Sequence, residues 1–191
     1  MNILIVDCTT KDLIVAVVKE GVVTDGTVRN NGTHHLERLC SCVQETLDRA
    51  EITLSQLDCI ACAVGPGSFT GIRIGISAVK GYVCALNIPV VGIDVLHAMQ
   101  LGNDRGAVID AGNGYYYAKY DGYQCVTAPC LISYDDERAK KAVTMEECNL
   151  LDGEVAIALH RVENNRFASK LTPVYIRKSQ AEELKNAQGT R

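Results

Sequence analysis

Apolar and polar positions along the first hundred residues switch between two periods. Residues 2–7 run apolar and stop at Asp7, the pattern of a buried strand. Residues 13–19 repeat it, and Lys19-Glu20-Gly21 turns the chain into a third strand over 22–28. Asn30-Asn31-Gly32 marks a turn, and Thr33 stands where a helix cap is wanted. The helix it would start covers 34–50. Leu36, Leu39, Cys40, Val43, Leu47 and Ala50 fall on one of its faces. Residues 57–64 read as another buried strand, broken by Gly65-Pro66-Gly67-Ser68. A second helix follows over 70–86 until Asn87-Ile88-Pro89 stops it. A strand at 90–93 and a short helix at 94–101 complete the series.

Beyond a polar joint at 102–106 the pattern loosens. A strand is expected at 107–110, a hairpin from 115–120 and 124–127 around Asp121-Gly122, a helix over 134–142 and a short strand at 155–159. A helical stretch at 161–168 and a mobile tail at 179–191 follow. Three strands, then helix, strand, helix, strand, helix is the order of one half of an actin/Hsp70-like fold, also found in sugar kinases. The fold expected is therefore α/β, an actin/Hsp70-like (ASKHA) two-lobed fold with a reduced C-terminal lobe. Residues 1–101 would form the N-terminal lobe and 102–191 the smaller one. Fold analogy of this kind leaves function open.

The richest segment is Gly65-Pro66-Gly67-Ser68-Phe69-Thr70-Gly71-Ile72-Arg73-Ile74-Gly75. It joins a strand to a helix, and Ser68 or Thr70 can cap the helix start. Amides and helix dipole at such a junction can hold an anion. Asp7, Gly65, Gly67, Ser68, Thr70 and Arg73 are the candidates for an anion or nucleotide site. The bland alternative, a tight turn with a capped helix, stands beside it. A Walker A ending is absent, and the glycine spacing is not that of a dinucleotide fingerprint. Within the helix, Gly71 and Gly75 share a face, and each costs about 1 kcal/mol relative to alanine. Close approach of another backbone would offset that. The alternatives are packing on the chain's own sheet or contact with a foreign helix.

Composition narrows the classes. The chain has 191 residues, 47% hydrophobic and 22% charged, with net charge −4. A protein gripping nucleic acid by itself usually carries a basic excess, so strong nucleic-acid binding by this chain alone is not expected. No export signal is visible, and no uninterrupted apolar run nears ~18 residues. The expected location is the cytoplasm, with no membrane contact. Nine cysteines are an odd number. Cys59 and Cys62 lie three apart on a strand and point to opposite faces, which speaks against a metal or redox pair.

Taken with its flanks, the glycine segment resembles the TsaB (YeaZ) family. The matching residues are Ile3 through Thr10, Thr33-His34-His35-Leu36-Glu37-Arg38-Leu39, Gly65 through Gly75, Gly81, and Ile88-Pro89-Val90-Val91-Gly92-Ile93. Pro173-Val174-Tyr175-Ile176-Arg177 is similar to the family's closing motif. The resemblance implies an actin-like fold and a heterodimer with the catalytic paralogue TsaD. It also implies recruitment of the ATPase TsaE, tRNA contacts only through the complex, and a capacity to homodimerise. The pairing surface it implies lies on the two N-terminal helices, with His35, Leu36, Leu39, Val43, Leu47, Gly71, Ile72, Gly75, Ile76 and Val79 as its residues. No cofactor and no resident metal are expected. Where the catalytic paralogue carries a His-x-x-x-His metal motif, this chain has Val95 and Met99, with His97 out of register. Asp110-Ala111-Gly112 also departs from the family's usual Asp-Ala-Arg.

Three functions follow for comparison. The first is a non-catalytic partner that stabilises and activates TsaD in threonylcarbamoyl transfer to N6 of adenosine 37 of tRNA. The second is an active ATPase or kinase, with Asp7 and Asp110 as magnesium acids. The third is a metallopeptidase, against which the missing histidine pair counts.

Overall fold

The computed structural model describes residues 1–30 and 34–176. Thr33, the expected turn at 31–32, Arg177 and the tail at 179–191 lie outside them. The elements are β1 (Asn2–Asp7), β2 (Asp12–Lys19), β3 (Val22–Asn30), α1 (His35–Arg49), β4 (Cys59–Gly65), α2 (Phe69–Leu86), β5 (Val90–Asp94) and α3 (Val95–Gln100). The second half adds β6 (Ala107–Asp110), β7 (Tyr115–Asp121), β8 (Gln124–Ile132), α4 (Glu137–Lys141) and α5 (Leu150–Glu163).

Strands β3-β2-β1-β4-β5 form one sheet in that order. β1 pairs antiparallel with β2 and parallel with β4, and β4 pairs parallel with β5. Alternation along β1 sorts its side chains between two layers. Leu4 and Val6 face a core shared with α1 and α2, while Ile3 and Ile5 face a core shared with α3 and α5. Both faces of β1 and β4 are covered, which is why these strands read as continuous apolar runs. Cys59 and Cys62 fall into the two different cores, as their spacing requires. Burial pushes the Cys59 thiol up to about 12 and the Cys62 thiol well above its ordinary value. None of the nine cysteines is in a disulfide.

Strands β6-β7-β8 form a second, antiparallel sheet. β8 runs to Ile132, past the 127 expected; it contains Pro129, tolerated because β8 is an edge strand. The helix expected over 134–142 is the short α4, capped by the Asp136 side chain on the Arg138 amide. The strand expected at 155–159 is instead part of α5, and the helical stretch expected at 161–168 covers only its last turn. Gly153 sits inside that helix. A β-carbon there would press into the Ala98 carbonyl, so its absence lets α5 lie close on α3. α5 also packs on β5 and β1, so the second half of the chain supplies one layer against the first sheet.

α2 runs 18 residues with mean hydropathy 1.2, long and apolar enough by that measure to cross a membrane. Here its inner face packs on β4 and β1, and only 28% of the helix is buried. Its outer face lies open.

Candidate functional site

The turn between β4 and α2 is pinned to the end of β1. Gly65 has φ +105°, a left-handed value that glycine adopts readily, and precedes a cis peptide to Pro66. The Ser68 amide donates to the Thr9 carbonyl at 2.7 Å, and the Ser68 hydroxyl accepts from the Gly71 amide at 3.1 Å. Ser68 is therefore the cap of α2. A β-carbon at Gly71 would land on the Cys8 carbonyl, and one at Gly67 on the Thr9 carbonyl. At Gly75 it would meet Cys8 at 3.5 Å, an ordinary contact. What approaches the two helix glycines is the chain's own Cys8, the residue that follows β1.

The pairing residues divide accordingly. Leu39, Val43, Leu47, Ile72, Ile76 and Val79 are buried over the sheet, together with Gly71 and Gly75. The sheet covers them, and of these only Leu39 also reaches the groove on the outer side. His35 is 5% exposed, its Nε2 at 2.9 Å from the Thr10 carbonyl. Its place on the inner face displaces Leu36, which is 72% exposed. Thr46 is tolerated inside because its hydroxyl donates to the Cys42 carbonyl at 2.7 Å. Of the face turned outward, periodicity gave Leu36 and Cys40 but not Ile74 or Ser77. Leu36, Leu39 and Cys40 on α1 meet Ile74, Ser77 and Ala78 on α2 across a shallow groove of about 380 Å³. Arg73 closes one end, its guanidinium 3.8 Å over the Phe69 ring and its Nε 3.2 Å from the Tyr175 hydroxyl.

A larger cleft, about 650 Å³, opens between the carboxyl ends of the first sheet and the second sheet. Gly67, Ser68 and Thr70 line it with Thr9, Thr10 and Lys11, while Asp110 and Glu146 stand on the other wall. Three residues expected here are elsewhere. Arg73 faces the α1–α2 groove, and Gly65 packs under Ile72 and the Val174 carbonyl. Asp7 is fully buried. Its Oδ1 accepts from the Thr9 amide at 2.5 Å, and its Oδ2 has no partner among the described residues.

Glu154 of α5, unforeseen because its segment read as a strand, is fully buried beside Asp7. Both of its oxygens lack a partner among the described residues when the two groups are taken as carboxylates, which cannot donate to each other. Burial raises both acids, Glu154 the further, and the negative charge of Asp7 adds to it. A protonated Glu154 donates to Asp7 and resolves the conflict. Asp7 is thus part of a buried acid pair, not a poised metal ligand. Asp110 is exposed and accepts from the Gly112 amide at 2.7 Å and the Tyr134 hydroxyl at 2.8 Å, which hold it below the usual carboxylate range.

His97 is a core histidine. It stacks on Tyr120 at 4.0 Å and its Nε2 lies 2.9 Å from the Gly122 carbonyl. Val95 and Met99 are buried beside it. Among the described residues no three histidines, cysteines or acids gather at metal-binding distance.

A family model described as TsaD, tRNA N6-adenosine threonylcarbamoyltransferase, matches residues 27–129. The tRNA threonylcarbamoyladenosine biosynthesis protein TsaB of Escherichia coli is 33% identical over 128 residues, 63% of this chain and 55% of that protein. A tRNA N6-adenosine threonylcarbamoyltransferase of Phocaeicola vulgatus is 30% identical over 53% of this chain and 34% of its own length. The chain thus spans about half of the first relative and a third of the second. YeaZ from Pseudomonas aeruginosa superposes with TM-score 0.76 at 24% identity, covering 91% of this chain and all of that one, a likeness of fold. With that family match extending over more than half of its residues, the chain belongs to the family described as TsaD, tRNA N6-adenosine threonylcarbamoyltransferase.

Proposed function

We propose that this chain is a non-catalytic partner that stabilises and activates a TsaD-type transferase, in the cytoplasm, during threonylcarbamoyl transfer to N6 of adenosine 37 in tRNA. The observation that carries this reading is the apolar groove between the outer flanks of α1 and α2, with Leu36 72% exposed on its rim. A long helix that leaves its apolar outer side uncovered is a natural docking surface. The same surface would serve self-pairing, and a TsaE-type ATPase would join the assembled pair. Net charge −4 favours tRNA contact through the complex.

An active ATPase or kinase needs ionised acids facing the cleft from both halves. Asp110 meets that need, but Asp7 lies buried and paired with Glu154. The partner reading is therefore preferred.

The test is to mix the chain with its cognate TsaD-type transferase, and to follow complex formation and tRNA modification with and without the chain. Complex formation and a gain in modification are expected. A transferase that is fully active alone and forms no complex would refute the reading.

A further inference from the structure

The 650 Å³ cleft is shaped for a ligand, yet its chemistry is wrong for a polyphosphate. Two of the amides at the α2 start, which should cradle an anion, are already engaged. The Ser68 amide serves the Thr9 carbonyl, and the Gly71 amide serves the Ser68 hydroxyl. Gly67 is spent on close packing against Thr9, and Arg73 faces away. What the cleft offers is acceptors. Asp110 and Glu146 stand on one wall, and hydrogen bonds from Gly112 and Tyr134 keep Asp110 ionised. His35 and Thr9 form part of the inner wall, 5% and 2% exposed. The His35 Nε2 donates to the Thr10 carbonyl, which leaves Nδ1 as an acceptor without a partner among the described residues. Lys11 is the one lysine or arginine lining the cleft among the described residues, against two carboxylates. Ile74, Ile109 and Met145 supply apolar wall suited to the methylene stem of a long side chain.

The cleft is also continuous with the α1–α2 groove. Ile74 lines both, and His35 of the cleft is next in sequence to Leu36 of the groove. A protein seated in the groove therefore reaches the cleft mouth.

We propose that the cleft is a socket for a basic side chain, arginine or lysine, of the partner docked on α1 and α2, held between Asp110 and Glu146. The inference rests on the partner reading above and adds to it the chemistry of the contact. The opposed charges would set orientation and make association depend on salt.

The experiment compares two variants of the full chain for binding to the cognate TsaD-type transferase across a salt series. Asp110→Asn with Glu146→Gln keeps both hydrogen bonds to residue 110 and removes both charges. It is expected to weaken binding at least tenfold and to flatten the salt dependence, with the melting temperature of the free chain unchanged. Leu36→Glu tests the groove alone and should weaken binding by itself. Loss with Leu36→Glu and none with the double variant overturns the socket and leaves the partner reading standing. No loss with either variant overturns both. Saturable sub-millimolar binding of pyrophosphate to the isolated chain also overturns the socket, since it would make the cleft an anion site.

Discussion

At the scale of single residues, the tightest approach at any described glycine lies where Gly71 rides on the Cys8 carbonyl. Gly71→Ala gains about 1 kcal/mol of helix propensity. The added carbon strikes backbone, which cannot swing aside, so overpacking should cost about 2–3 kcal/mol. The net expectation is a less stable chain, read by urea unfolding. Gly75→Ala meets Cys8 only at contact distance and should be near neutral or stabilising. The contrast separates a glycine required for approach from one that is merely permitted. Spacing alone marked both as small residues on one face. It could not say which backbone would approach, because β1 is distant in sequence. Likewise, Asp7 was legible as an acid ending a strand, while its burial depended on Glu154, 147 residues away.

Among the elements, α5 bears the main pH-dependent consequence. Asp7 and Glu154 both have raised proton affinity in the folded chain, chiefly through burial. The unfolded chain loses those protons above the ordinary carboxylate range near 4, whereas the folded chain keeps at least one. Stability from this pair is therefore fully present in acid and declines as pH rises from about 4 towards the folded values. Glu154→Gln removes the titration and can donate to Asp7 at any pH. It should raise the melting temperature at pH 7.5 and flatten the fall in stability between pH 5 and 8, a fall of up to about 1.4 kcal/mol per pH for one retained proton. Thermal melts of both proteins across that range would check it; an unchanged slope would show the pair is not the titrating group. The elements of the first hundred residues were legible because each carries a clean period and an explicit stop. α5 was not, since Gly153 mimics a breaker and Val155-Ala156-Ile157-Ala158-Leu159 suits a strand equally well. Only the close approach to Ala98 explains the glycine.

For the whole molecule, what matters is which side of two helices meets the solvent. Leu36→Glu places a charge on a residue 72% exposed, so folding should change by less than about 0.5 kcal/mol. Association with the transferase should fall tenfold or more, about 1.4 kcal/mol, by titration calorimetry. Leu39→Glu puts the charge in a fully packed core and should prevent folding outright. Both leucines belong to one sequence stripe, and the stripe is wider than the surface the sheet covers. Periodicity thus located the helices and their apolar arc but not the boundary between its covered and open parts. That boundary is set by His35 and Thr46, polar residues admitted inward because local carbonyls satisfy them.

The placement of α5 against β1 and β5 also bears on synthesis. As the chain leaves the ribosome, Ile3, Ile5 and Ile93 emerge long before Ile157 and Ala158, their companions in one core. Part of that side of the nascent sheet stays bare until α5 has been made, a window in which a chaperone would find greasy surface to hold.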